Sequence, residues 1–161
     1  MKKTLLLFAP IALFLLVFAD CKDEKEQTID LPASVKIYID SHYAGYEVEE
    51  SELDTLCNGT AVYEVELEDS DDKEADLTFD TEGNLLFTKT GYPVTQLPAP
   101  VSAGIAAGYA GYATKEVEKL SFPNGDLQYE TELKKGASNL EVLFAADGTV
   151  ICEASGDDDD E

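Results

Sequence analysis

The sequence predicts an α+β fold made of two tandem repeats, each with one helix packed on a four-stranded antiparallel sheet. Three observations support this prediction: an internal duplication, a helix signal at the start of each copy, and alternating strands separated by turns. Residues 31–67 align with residues 97–133 at an offset of 66, and 17 of the 37 aligned positions are identical. A match of this extent indicates one structural unit used twice.

Each repeat begins with a helix signal. Pro32 stands where a first-turn proline is tolerated, and the apolar residues that follow it fall at helical spacing. We expect Gly45 to end this helix. The second helix is predicted to be weaker, because Gly104 and Gly108 each cost about 1 kcal/mol relative to alanine.

Four strands follow the helix in each repeat. In the first copy, residues 46–53, 60–67 and 75–80 read as strands, and a last strand runs through residues 85–87. Asn58-Gly59 is a hairpin turn signal. A unit of about 60 residues is marginal alone, so two units sharing a sheet or packed side by side are expected.

The two repeats lie within a longer chain that the sequence divides into six segments. These are a signal peptide (1–20), a polar tether (21–30), repeat 1 (31–90), a linker (91–96), repeat 2 (97–156) and an acidic disordered tail (157–161). The first segment has a short positive start and an apolar run of fifteen residues, too short for a span of roughly 20 residues. It predicts an exported protein.

Two routes of signal removal remain open. Small or β-branched residues before Asp20 suit signal peptidase I. Alternatively, residues 18–21 resemble a bacterial lipobox in which Cys21 is lipidated, and the polar run after it resembles lipoprotein tethers. The location expected is the periplasm, or the outer membrane or cell surface of a Gram-negative bacterium, with membrane attachment only through a lipid at Cys21.

The charge excludes one class of partner. The formal net charge is −23, and all eleven basic residues are lysines. Nucleic-acid binding needs a basic surface that neutralises phosphates, so no nucleic-acid partner is expected. The simplest interpretation of the acidic surplus is that it keeps the protein soluble.

Few residues suggest catalysis or a cofactor, and we expect neither an enzyme nor a cofactor. His42 is the single histidine, whereas a triad or a metal site needs several convergent partners. Carboxylate pairs on an open strand face lack the burial that would separate their pKa values for acid–base chemistry. Cys152 is expected in the core, and a disulfide with the loop residue Cys57 is conceivable but disfavoured.

The acidic segment at residues 68–76 offers carboxylate oxygens of the kind that calcium prefers. It lacks the glycine and the terminal glutamate of an EF-hand loop, and repeat 2 has no acid in the equivalent segment. A solvated loop is therefore favoured over a metal site.

The leader, the Leu-Pro-x-x-Val helix start, the Tyr-Glu-Val-Glu-Leu strand and the Phe-Asp-x-x-Gly-Asn hairpin together resemble PepSY-like domains, also called β-lactamase-inhibitor-like domains. The matching residues in the first copy are Leu31, Pro32, Val35, Tyr63, Glu64, Val65, Glu66, Leu67, Phe79, Asp80, Gly83 and Asn84. The resemblance implies an exported module with a helix on an antiparallel sheet. Tandem copies imply the concave sheet of β-lactamase inhibitory proteins, and the family defines no catalytic residue.

The expected function is that of a non-catalytic, inhibitor-like binding module that recognises a protein or peptide through the open face of its sheet. A cation-binding (calcium) envelope protein is the alternative. The residues expected to be exposed on the open face are Glu64, Glu66, Glu130, Glu132, Val62, Leu86, Leu143 and Ile151. A mixed apolar and acidic patch on a rigid sheet suits a polypeptide partner.

Overall fold

A computed structural model describes residues 28–155 of the chain. The helices are α1 (Ala33–His42), a short 3-10 helix (Val94–Gln96) and α2 (Ala99–Gly108). The strands are β1 (Tyr46–Thr55), β2 (Ala61–Asp69), β3 (Glu74–Asp80), β4 (Leu85–Gly91), β5 (Ala113–Ser121), β6 (Leu127–Lys135), β7 (Ser138–Ala145) and β8 (Val150–Ser155). The α+β class and the two tandem repeats are confirmed. The predicted signal peptide, Cys21 and the acidic tail lie outside the described residues.

All eight strands form one antiparallel sheet in the order of the sequence, from β1 to β8. The two repeats join where β4 pairs with β5, between Thr88–Ser121 and Gly91–Glu118. Of the two arrangements that the sequence left open, the chain therefore adopts the shared sheet. In residues 28–155, no helix has the length and apolar character needed to cross a membrane.

Both helices lie on the same face of the sheet and cover its apolar side. Val35 and Ile39 of α1 belong to one buried cluster, and Val101 and Ile105 of α2 belong to a second. Strand alternation predicts seven large apolar sheet residues on the helix side, and all seven pack in these clusters: Tyr63, Val65, Leu67, Phe79, Tyr129, Leu133 and Phe144. Within residues 28–155, no further layer covers the opposite face of the sheet.

The glycines of α2 have a packing role that the sequence did not reveal. A Cβ atom at Gly104 would lie 2.5 Å from the carbonyl oxygen of Gly148, in the turn between β7 and β8. Nothing lies within 4 Å of the equivalent position on Gly108. Gly104 therefore lets α2 approach the sheet closely, which offsets its low helix propensity.

The last hairpin of each repeat contains a β-bulge. Thr78 pairs with Phe87 but the next residue of β3, Phe79, pairs with Leu85. The same shift occurs in repeat 2, where Leu143 pairs with Cys152 but Phe144 pairs with Val150. An extra residue in one strand reverses the side-chain alternation beyond it. Phe87 and Cys152 consequently face the open side, and the prediction that Cys152 points into the core was wrong.

A disulfide between Cys57 and Cys152 connects the two ends of the sheet. Cys57 lies in the loop between β1 and β2, whereas Cys152 lies in β8. Six strand spacings separate β2 from β8, which is about 29 Å in a flat sheet. The two Cα atoms are only 5.9 Å apart. The sheet is therefore curled towards its uncovered side, and the bond that the sequence disfavoured is present.

The segment that precedes α1 runs along the edge strand β1. Thr28 forms a parallel bridge with Ser51, and the Ile29 N–H donates to the Ser51 carbonyl oxygen and hydroxyl at 3.2 and 3.0 Å. These contacts satisfy part of an edge that would otherwise be open to another strand.

Candidate functional site: the concave sheet face

The uncovered face of the curled sheet forms a groove of about 970 Å³ lined by strands of both repeats. Two lysines, Lys89 and Lys134, line it together with eight carboxylates, a formal charge of −6. The carboxylates are Glu52, Asp54, Glu64, Glu116, Glu118, Glu130, Glu132 and Glu141. The groove is thus strongly acidic as well as concave.

Lys89 of β4 lies where the two repeats meet. Its Nζ is 3.1 Å from Glu64 Oε1 and 3.7 Å from Glu130 Oε2, and these two glutamates are equivalent residues of the two repeats. The first contact has the distance of an ion pair but not the geometry of a hydrogen bond. Burial alone would lower the pKa of Lys89, but the nearby carboxylates, Glu64 first, raise it above its usual value.

Within the aligned segment, four charged residues are identical in the two repeats, and all four are glutamates of this face. They are Glu50, Glu52, Glu64 and Glu66 in repeat 1 and Glu116, Glu118, Glu130 and Glu132 in repeat 2. Each glutamate lies directly opposite another: Glu50 pairs with Glu66 and Glu52 with Glu64, and repeat 2 matches this pairing. Like charges in this arrangement destabilise a sheet. The fold therefore carries this repulsion twice, at the same positions.

Partial burial adds to the repulsion. Burial, followed by the nearby acidic groups, raises the pKa of Glu52 and the pKa of Asp76. Burial also raises the pKa of Glu118. The Lys89 ammonium group acts in the opposite direction, and the Glu130 carboxylate raises the pKa of Glu118 further. Each of these shifts means that keeping the carboxylate charged costs the folded state free energy.

The end of the groove near the hairpin turns is apolar. Val62, Phe87 and Leu120 are buried there, although none belongs to the two helix-covered clusters. The Phe87 and Phe122 rings pack with their centroids 5.2 Å apart. Cys57 of the disulfide also lines this part of the groove. The groove is therefore acidic in its centre and apolar at one end.

Most residues predicted for the open face line this groove. Glu64, Glu130, Glu132, Leu86, Leu143 and Ile151 do so, and Glu66 lines a smaller adjoining cavity of about 110 Å³. Val62 is fully buried, so its side chain is not accessible to a partner. Glu64 and Glu130, expected to be exposed, have side chains only 22% and 27% exposed because they enclose Lys89.

The sequence reasoning missed four important members of the groove: Lys89, Glu52, Glu118 and Phe122. The identity of Glu52 and Glu118 between the repeats, together with strand alternation, was the signal that could have revealed these two. Nothing local marks Lys89, because its ion pairs depend on the curvature of the whole sheet.

The acidic segment between β2 and β3 forms a turn that uses its own carboxylates. Asp69 Oδ1 accepts the backbone N–H groups of Asp71 and Lys73 at 2.8 and 3.2 Å, and Lys73 forms ion pairs with both aspartates. Across residues 28–155, no group of three His, Cys, Asp or Glu side chains is arranged to hold a metal ion. His42 stacks on Tyr38 with ring centroids 4.1 Å apart, on the helix side of the sheet.

The sequence matches a family described as "Putative beta-lactamase-inhibitor-like, PepSY-like" over residues 17–87 and again over residues 88–152. The chain belongs to this PepSY-like family. The two matches correspond to the two structural repeats, and the resemblance drawn from the sequence is confirmed. No curated protein matches the sequence.

Several solved structures from Bacteroides species share the fold of this PepSY-like protein. A DUF2874 family protein from B. uniformis ATCC 8492 is 17% identical with a TM-score of 0.55, covering 78% of this chain and 90% of its own. A protein from B. eggerthii DSM 20697, described as periplasmic, is 16% identical with a TM-score of 0.55, covering 79% and 90%. A BLIP-like protein from B. fragilis NCTC 9343 is 17% identical with a TM-score of 0.50, covering 83% and 94%.

Proposed function

We propose that this PepSY-like protein is an exported, non-catalytic module that binds a protein or peptide in the concave groove. The observation that carries the proposal is the groove itself, which strands of both repeats line continuously over about 970 Å³. A disulfide fixes the curvature of this face. A rigid, concave surface with an apolar end and polar surroundings has the features of a polypeptide interface.

The chemistry of the groove supports binding rather than catalysis. Within residues 28–155, His42 lies away from the groove and the two described cysteines are joined to each other. Nucleophilic catalysis requires a nucleophile next to a base, whereas the centre of the groove offers an ion-paired Lys89 between Glu64 and Glu130. The BLIP-like relative from B. fragilis makes inhibition one form that such binding would take.

The N-terminal segment supports export. Its positive start and its apolar run are typical of a signal peptide. The similar protein from B. eggerthii is described as periplasmic. Lipidation of Cys21 would anchor the module in the envelope; replacing it with serine should then release the protein from the membrane fraction and abolish fatty-acid labelling.

Comparative capture from the envelope of the producing cell tests the proposed binding face. The groove variant carries Glu116→Lys and Glu132→Lys, which change the charge of the groove but leave the ion pairs of Lys89 intact. Replacement of Glu64 and Glu130 would break those ion pairs. Asp40→Lys with Glu82→Lys makes the same charge change on exposed residues outside the groove.

We expect a stoichiometric polypeptide to be captured by the wild type and the control variant and lost with the groove variant. Loss with both variants, or with neither, would contradict the assignment of the groove. Calorimetry with calcium tests the alternative role: stoichiometric binding in the micromolar range would favour a cation-binding protein.

A further inference from the structure

The groove carries a repeated arrangement of like charges. Four glutamates occupy equivalent positions in each repeat, and each of them lies directly opposite another glutamate. The two copies differ at 20 of the 37 aligned positions, so substitutions that would relieve this repulsion were accessible. No other charged residue is identical within the aligned segment. A partner of opposite charge would explain why a destabilising arrangement is present in both copies.

Lys89 shows how a cation is held in this face. Its ammonium group lies between Glu64 and Glu130, one from each repeat, at 3.1 and 3.7 Å. With Lys89 included, the lining of the groove still has a formal charge of −6. Further ammonium or guanidinium groups would meet the same kind of carboxylate environment.

The spacing of the carboxylates suits an extended chain. Glu64 and Glu66 are two residues apart on β2, as are Glu130 and Glu132 on β6. Alternate residues of a strand are about 6.6 Å apart, which is also the spacing of alternate side chains in an extended peptide. One step further along each strand the row of glutamates ends, at buried Val62 on β2 and at Gln128 on β6. Gln128 pairs with buried Leu120, while Asp54 of β1 still lies opposite Val62.

We propose, building on the proposed function, that the groove binds an extended polypeptide segment with Lys or Arg at alternate positions followed by an apolar residue. The basic side chains lie among the shared glutamates beside Lys89, and the apolar side chain lies at the end formed by Phe87, Leu120 and Phe122. Charge complementarity selects this partner over an acidic or neutral segment.

NMR titration of the disulfide-bonded protein with a blocked peptide of sequence Lys-Ser-Lys-Ser-Phe tests the proposal. The comparison peptides replace both lysines with glutamate, or the phenylalanine with serine. We expect the first peptide to shift the backbone amides of β2, β5 and β6, and the dissociation constant to rise with salt. Each comparison peptide should bind at least fivefold more weakly.

Two double variants separate the groove from the overall negative charge. Glu52→Gln with Glu118→Gln removes two groove carboxylates without touching the ion pairs of Lys89, whereas Asp40→Asn with Glu82→Gln removes two charges elsewhere. The groove variant should keep its fold, because burial already disfavours the charge at both positions. We expect it to bind the basic peptide at least fivefold more weakly, and the control to change less than twofold.

Three results would overturn the proposal. Equal weakening in both variants would show attraction to net charge alone. Equal binding of the glutamate peptide in the groove would remove the preference for cations while leaving the proposed binding face intact. Shifts confined to residues outside the groove, or none at all, would also contradict it, and envelope capture would then decide separately whether the proposed function stands.

Discussion

Removal of the disulfide should cost a large fraction of the stability of the protein. The perturbation is the double substitution Cys57→Ala with Cys152→Ala, compared with the wild type in the presence of a dithiol reductant. Cys57 is exposed and Cys152 is half-buried, so the substitutions delete little core packing. The effect therefore reports on the cross-link itself.

The magnitude follows from the length of chain that the bond closes. The two cysteines are 95 residues apart, and the loop-entropy relation gives about 4.7 kcal/mol for a closed loop of that size. Native domains are stable by about 5–15 kcal/mol in total. Because the bond persists when the oxidised chain unfolds, the oxidised unfolded state is more compact than the reduced one.

Urea denaturation followed by circular dichroism measures this difference. We expect the free energy of unfolding to fall by about 3–5 kcal/mol in the double variant, with a larger m-value because its unfolded chain is more exposed. The reductant should reproduce both changes in the wild type and should not affect the variant. An unchanged wild-type transition under reductant would refute the reasoning, since the bond would then not constrain the unfolded chain.

Three further predictions concern individual residues. Gly104→Ala should lower the free energy of unfolding by about 1–3 kcal/mol, because its Cβ would meet Gly148, whereas Gly108→Ala should raise it by up to about 1 kcal/mol; urea titrations of both variants compare them. Lys89→Met should lower the free energy of unfolding by about 2 kcal/mol at neutral pH, since Glu64 and Glu130 lose their cation. An unchanged midpoint of urea denaturation would contradict the ion pairs. A hydrogen bond with Glu49 raises the pKa of Glu68 to about 7. The stability that this protonated pair contributes is complete below about pH 4.5 and is lost as the pH rises through 7. Glu68→Gln should therefore flatten the dependence of the free energy of unfolding on pH over this range.

The fold was largely predictable because its signals are local. Periodicity placed Val65 and Phe79 on the helix-covered face, and Asn58-Gly59 marked a hairpin in which Gly59 adopts a φ of +84°. The duplication then carried these assignments into repeat 2. Each of these features depends on residues close together in the sequence.

The groove was only partly predictable because it depends on long-range geometry. Alternation identified Glu64 and Glu130 correctly as residues of the open face, but not their enclosure of Lys89. One bulged residue in each repeat places Phe87 and Cys152 on the open side, although Cys152 was expected in the core. The disulfide then depends on the accumulated curl of eight strands, which no short segment encodes.

Site-specific photo-crosslinking in the producing cell tests the central claim, that the concave face binds a polypeptide, most directly. A photoreactive residue replaces Glu132 in the groove, or Ser102 on the exposed surface of α2 as the control. We predict a discrete polypeptide adduct from position 132 and none from position 102, with a basic segment of the partner at the site of linkage. An adduct formed only from position 102 would contradict the assignment of the groove as the binding face.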